Sequence, residues 1–177
     1  LCLGGFWRGQ AESVIADALT PILFRIDAAK ELDARAKAAG RVVNFHLKVD
    51  TGMGRLGVPL ESLPEFARAL KNFTNLKLDG LMTHFAAADA DASAYTESQL
   101  EKYRVARRIV DGLGFAPTYQ HLANSAATHR YPQSWGNLVR PGAALYGFTR
   151  DVLAPRPAPF DVRPALSLHS RVVLVKG

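Results

Sequence analysis

Residues 42–50, VVNFHLKVD, alternate apolar and polar side chains from Val43 to Asp50. Successive side chains of an extended chain point to opposite faces, so Val43, Phe45, Leu47 and Val49 share one face and Asn44, His46, Lys48 and Asp50 the other. A strand of a helix-covered open sheet buries both faces and reads as a continuous apolar run. The polar face of 42–50 therefore restricts the kinds of sheet this chain can build.

The rest of the chain alternates short apolar strands with helices. Strand candidates are LCLGG at the start, PILFRI (21–26), RVVNFHLKVD (41–50), LKLDGLMTHF (76–85), TYQHLAN (118–124) and LVRPGAALYG (138–147). Helices fill the gaps: Asp27 can cap AAKELDARAKAA with Gly40 past its end, and residues 93–114 end on a similar glycine. Strands separated by helices imply a parallel sheet with right-handed crossovers. A doubly wound sheet and a (β/α)8 barrel both fit that order, and the polar face selects the barrel. Barrel strands point alternately to the helices and to the interior, and inward residues at their C-terminal ends form the site. The expected fold class is α/β, an incomplete (β/α)8 barrel of about six of the eight βα units.

VDTGMGRLG (49–57), directly after the alternating strand, contains G-x-G-x-x-G at Gly52, Gly54 and Gly57. A dinucleotide-binding loop needs a buried apolar strand before it, a helix opening within the glycines and an acid about 20 residues on. Asp79 stands near that distance, but the preceding strand has a polar face. Pro59 and Pro64 delay a regular helix to about Glu61, so no helix N-terminus faces the glycines. A turn is the better reading.

Composition narrows the function classes. The 22 Lys and Arg residues are scattered among 16 acids and give a formal charge of +6, a pattern of solvated surface or small anionic ligands rather than nucleic acid. Cys2 is the only cysteine, which excludes an internal disulfide framework and a cysteine-based zinc cluster and fits a reducing compartment. Neither a membrane-spanning apolar run nor a signal-peptide pattern is present, so a cytoplasmic location is expected.

On a barrel, polar groups gather at the strand ends: Lys48, Asp50 and Arg55, then Thr83 and His84, then His121, Asn124 and Ser125, then Arg140 with Gly142 and Ala143. Barrel phosphates are often held by the loops after the last two strands, where Ser125 and the backbone at Gly142 and Ala143 stand. A hydroxyl and backbone N–H groups suit a phosphate dianion, which points to a phosphorylated cofactor or substrate.

HLKVDTGMGRLG (46–57), GLMTHFAAAD (80–89), HLANSAA (121–127) and VRPGAALYG (139–147) together closely resemble the pyridoxal-phosphate barrel of the alanine racemases. The resemblance implies an isomerase that interconverts L- and D-alanine through a Cα carbanion on pyridoxal 5'-phosphate, supplying D-alanine for peptidoglycan. It implies a homodimer in which a β-rich domain of the partner completes the site. Arg140 resembles the arginine that hydrogen-bonds the pyridine nitrogen, and His121 the histidine that orients it. His84 resembles the residue packed against the cofactor ring; Asn124 lies nearby, while Ser125, Gly142 and Ala143 serve the phosphate. Arg55 resembles the arginine reaching the cofactor's phenolic oxygen and the substrate carboxylate, and Lys48 the lysine that is often carbamylated and positions it. The family's Schiff-base lysine and second-base tyrosine match nothing in this sequence; they are expected before Leu1 and after Gly177, which leaves this chain alone inactive.

The glycines of TGMGRLG then shape a turn that brings Arg55 back over the barrel mouth. Asp50 and Thr51 are read as braces of that turn and Tyr146 as core packing, while His46, His129 and His169 carry no pattern that supports a catalytic role. Residues 1–152 are expected to form the barrel, 153–164 a linker and 165–177 the first strand of a following β domain. Two further readings fit the same residues: a broad-specificity amino-acid racemase, and a non-catalytic module that binds the cofactor or phosphate.

Overall fold

The computed structural model describes residues 1–90, 93–148 and 162–176. Strands β1 (Ile22–Leu23), β2 (Val43–Asp50), β4 (Leu76–Met82) and β5 (Tyr119–His121) lie side by side in the order β1-β2-β4-β5, and β3 (Val58–Pro59) pairs with the end of β2. Every pairing is parallel. Helices α1 (Ala11–Ala16), α2 (Ile26–Ala38), α3 (Leu63–Leu70) and α4 (Ser93–Gly112) alternate with the strands. This is the incomplete parallel α/β barrel that the sequence pattern implies.

The apolar face of β2 meets the helices. Val43, Phe45, Leu47 and Val49 join Leu78 and Leu81 of β4, Leu32 of α2, Leu63 and Leu70 of α3, and Leu100 and Val110 of α4 in one buried cluster. Helix α2 buries Ala29, Leu32 and Ala36, spaced three and four apart on one stripe. It ends where Gly40, at φ +61°, lets Arg41 N–H turn back to Ala36 O at 2.9 Å. Asp27 is not its cap. It sits within the first turn and pairs with Arg25, the flanking residue, because the helix starts two residues before the expected position.

One irregularity shapes the inner face. Phe45 pairs with Leu78 and His46 with Gly80, so Asp79 is an extra residue on β4, a bulge. The bulge puts Leu78 and Leu81 on the core side, three residues apart, and sets Gly80 and Met82 opposite His46 and Lys48.

Two strand expectations need correction. LCLGG contributes a single bridge, Cys2 to Pro21, in place of a ladder. Residues 138–147 are not a strand: Arg140 N–H reaches Ala123 O at 3.1 Å, after which the chain turns into helix α6 (Gly142–Leu145). Pro141 has no N–H for a ladder, and Gly142 N–H folds back to Arg140 O at 2.9 Å. Tyr146 follows that turn and is 60% exposed, so it does not pack in the core. Residues 153–161 of the expected linker lie outside the described residues. Residues 165–176 form no ladder, and Leu166, Leu168 and Val172 to Val175 are exposed. Among the described residues, no helix is long and apolar enough to cross a membrane.

Candidate active site

The turn after β2 is built by its own side chains and by α4. The Asp50 carboxylate accepts the N–H groups of Gly52 at 2.9 Å and Gly54 at 3.0 Å, and Tyr95 donates its hydroxyl to Gly52 O at 2.5 Å. Gly57, at φ +138°, lies so close to β2 that a Cβ would sit 2.5 Å from Asp50 N. The chain thereby returns to pair Val58 with Val49, leaving Arg55 exposed in the turn. No helix opens at the glycines; α3 begins at Leu63 after a short 3-10 turn, Leu60–Ser62.

A buried polar network ties this turn to the next strand end. Thr83 donates to Val49 O at 2.9 Å and so accepts from Thr51 at 2.7 Å. The Gln99 amide donates to Thr51 Oγ1 at 3.2 Å and His84 O at 3.1 Å, and accepts Ala86 N–H at 2.9 Å. Gln99 and Tyr95, one helical turn apart on α4, therefore hold both the Arg55 turn and the His84 segment. Sequence reasoning missed them. The available signal was two polar side chains at i and i+4 on a helix that packs onto the strand ends.

Arg140 lies at the centre of the strand ends. Nη1 donates to His121 Nδ1 at 2.8 Å and to His121 O at 2.9 Å. Nη2 donates to Thr83 O at 2.8 Å and Leu122 O at 3.1 Å, with His84 Nδ1 at 3.4 Å. These contacts commit both terminal nitrogens; among the described residues Nε–H has no partner. Burial lowers the Arg140 pKa to about 10, which leaves it a cation at neutral pH. His121, fully buried, is pushed down to about 3 by burial and then by Arg140 and His46. His84 is pushed down to about 4 by burial and then by Arg140, Arg55 and Lys48, so both rings are neutral.

Lys48 is 3% exposed on the inner face of β2. Its pKa is lowered by burial and then by Arg55 and Arg140, with Asp50 opposing. Among the described residues no carboxylate forms an ion pair with Lys48, Arg55 or Arg140. Three cations that converge with no carboxylate paired to them among the described residues suit an anionic ligand.

The remaining predicted residues lie on the segments just after β5 and just after Arg140. Ser125 Oγ is buried and accepts Ala144 N–H at 3.1 Å, which brings it to the Gly142–Ala143 backbone. A Cβ at Gly142 would meet nothing within 4 Å, so that backbone is open to a ligand. The Asn124 side chain caps helix α5 (Ser125–Arg130), accepting Ala127 N–H at 3.0 Å. His46, set aside from the sequence alone, is buried, and its Nδ1 lies 2.7 Å from His121 Nε2. Its place on the polar face, two residues before Lys48, was the signal that could have found it.

These residues fit pyridoxal phosphate chemically: an open backbone beside a serine for the phosphate, an unpartnered guanidinium N–H for a ring nitrogen, and surplus positive charge.

Residues 1–150 match the family model described as alanine racemase, N-terminal domain. The alanine racemase of Citrifermentans bemidjiense is 40% identical over 183 residues, covering 99% of this chain and 47% of that protein. The solved alanine racemase of Clostridium difficile 630, in complex with cycloserine, is similar at a TM-score of 0.81 and 31% identity, over 91% of this chain and 44% of that one. The alanine racemase of Bartonella henselae, solved with covalently bound pyridoxal phosphate, shares the fold at a TM-score of 0.74 and 22% identity, over 90% and 43% of the two chains. The chain spans about half the length of the curated relatives it matches.

Proposed function

This chain belongs to the alanine racemase family, and from that membership we propose that it is the cofactor-holding barrel of an enzyme that interconverts L- and D-alanine. The observation that carries the reading is Arg140: a half-buried guanidinium held by neutral His121, with Nε–H uncommitted among the described residues, which suits a cofactor ring nitrogen. When bound, pyridoxal phosphate supplies an electron sink for the negative charge that develops at the amino acid's Cα.

The chain's own residues bind and orient. Ser125 and the backbone at Gly142 and Ala143 hold the phosphate, and Asn124 keeps α5 in register beside them. Arg140 donates a hydrogen bond but has no readily surrendered proton, so it steadies the ring nitrogen without charging it. Neutral His84 would line the cofactor ring without adding charge. Arg55 orients the substrate carboxylate over the mouth, and Lys48 lies behind it and takes up a carbamate that compensates its charge.

The two proton-transfer groups lie outside residues 1–177 in this reading, and a partner subunit completes the site in a cytoplasmic homodimer. The exposed apolar run at 166–175 supports reading 165–177 as the start of a β domain that follows the barrel, 1–152, and the linker, 153–164. The test is incubation of the whole protein with pyridoxal phosphate and either enantiomer of alanine. We expect both to approach the same equal mixture; cofactor binding with no interconversion would support a non-catalytic module instead.

A further inference from the structure

Behind Arg140 runs a line of two buried imidazoles whose proton positions are dictated from one end. A guanidinium only donates, so the 2.8 Å contact from Arg140 Nη1 makes His121 Nδ1 an acceptor. The single proton of neutral His121 is then on Nε2, where it needs an acceptor of its own. His46 Nδ1, 2.7 Å away, is that acceptor, and the His46 proton is consequently on its Nε2. Arg140, His121 and His46 form one directional chain of hydrogen bonds in which each ring has one permitted tautomer.

The surroundings hold the far ring in place. His46 is 4% exposed, stacks on Tyr119 with centroids 5.6 Å apart and meets His121 edge-on at 4.9 Å. The bulge at Asp79 sets Gly80 opposite His46, and the ring occupies the space a Cβ would need, 2.4 Å from its Cγ and 2.5 Å from its Nδ1. Gly80 is not in the left-handed region, so the ring alone demands a glycine there.

We propose that His46 is a positioning residue: it fixes the tautomer of His121 and, through it, the orientation in which Arg140 presents its remaining N–H. Without an acceptor at the His46 position, His121 gains by moving its proton to Nδ1 or turning its ring. The first sets donor against donor at Arg140 Nη1 and the second sets a ring C–H there, and either releases the guanidinium. The effect on catalysis rests on the reading of Arg140 given above, whereas the tautomer does not.

The test compares His46→Asn, His46→Leu and Gly80→Ala in the whole protein. Asn places Oδ1 where Nδ1 stood and keeps the acceptor; Leu removes it; Ala at position 80 displaces the ring while leaving His46 in the sequence. Long-range 15N–1H spectra of ring-labelled histidine report the tautomer, and steady-state kinetics report the reaction. We expect the parent and His46→Asn to show His121 as the Nε2–H tautomer, with kcat within about threefold of each other. His46→Leu and Gly80→Ala should lose that single tautomer, with kcat down on the order of tenfold or more. A His121 tautomer unchanged in His46→Leu and Gly80→Ala would overturn the proposal, and so would a folded His46→Asn protein that behaves like His46→Leu. If the parent does not racemise alanine, the functional reading fails while the spectra still decide the role of His46.

Discussion

Lys48 is buried and Arg140 half-buried at one point, and among the described residues no carboxylate pairs with either, an arrangement that forces neighbouring groups to be neutral or the site to acquire an anion. The depressed Lys48 pKa raises the share of neutral amine, the form that reacts with carbon dioxide, and the product is an anion between Arg55 and Arg140. We therefore expect 13C-bicarbonate to give a carbamate resonance that Lys48→Ala removes; an identical spectrum from the variant would show that Lys48 stays an amine. The neutral histidines have a second consequence. Burial pushes His121 and His84 down to about 3 and about 4 in the folded chain from the ordinary imidazole value of 6.5, so in between the unfolded chain binds more protons. Their contribution to stability is complete above about pH 6.5 and is lost as pH falls through about 4 for His84 and about 3 for His121. Urea midpoints should drop over that window, and less steeply in His121→Asn; equal slopes would mean that His121 is charged in the folded protein.

The turn 50–58 is the element whose geometry is most exacting. Gly57 combines φ +138° with backbone atoms of β2 where a Cβ would lie, whereas Gly54, at φ +68°, has open space. We expect Gly57→Ala to destabilise by on the order of 3 kcal/mol, with loss of the Arg55 position, and Gly54→Ala by about 1 kcal/mol. Urea denaturation of both variants measures the difference, and equal losses would contradict the close return of the chain onto β2. Much of this element was legible in the sequence. Alternation in 42–50 identified the inward residues, prolines 59 and 64 delayed the helix, and Asp50 and Thr51 brace the turn as read. The bulge at Asp79 was not legible, because a two-residue period gives no sign of a skipped partner. Residues 138–147 read as a strand on apolar content alone, yet Pro141 and the fold-back at Gly142 make a helix. Gln99, Tyr95 and His46 were missed because their roles come from contacts 13 to 75 residues away in sequence.

At the scale of the whole molecule, the described sheet ends at β1 on one side and β5 on the other, and residues 138–141 reach it through the bond from Arg140 N–H to Ala123 O. The proposed cradle of Lys48, Arg55, His84, Ser125 and Arg140 is thus assembled by the ends of β2, β4 and β5 and by the segment before α6. Among the described residues Lys48 is the one lysine buried at those ends. If the cofactor-anchoring amine lies elsewhere in the protein, residues 1–177 alone should bind pyridoxal phosphate reversibly. Borohydride should then leave no stoichiometric label and alanine should not racemise. A label at Lys48 with turnover would make Lys48 the anchoring amine. The most direct measurement is a crystal structure of the whole protein with pyridoxal phosphate bound. We expect Arg140 Nε within hydrogen-bonding distance of the pyridine nitrogen and the phosphate on Ser125 and the Gly142–Ala143 backbone; a carboxylate at the ring nitrogen, or a phosphate bound away from Ser125, would contradict the assignment.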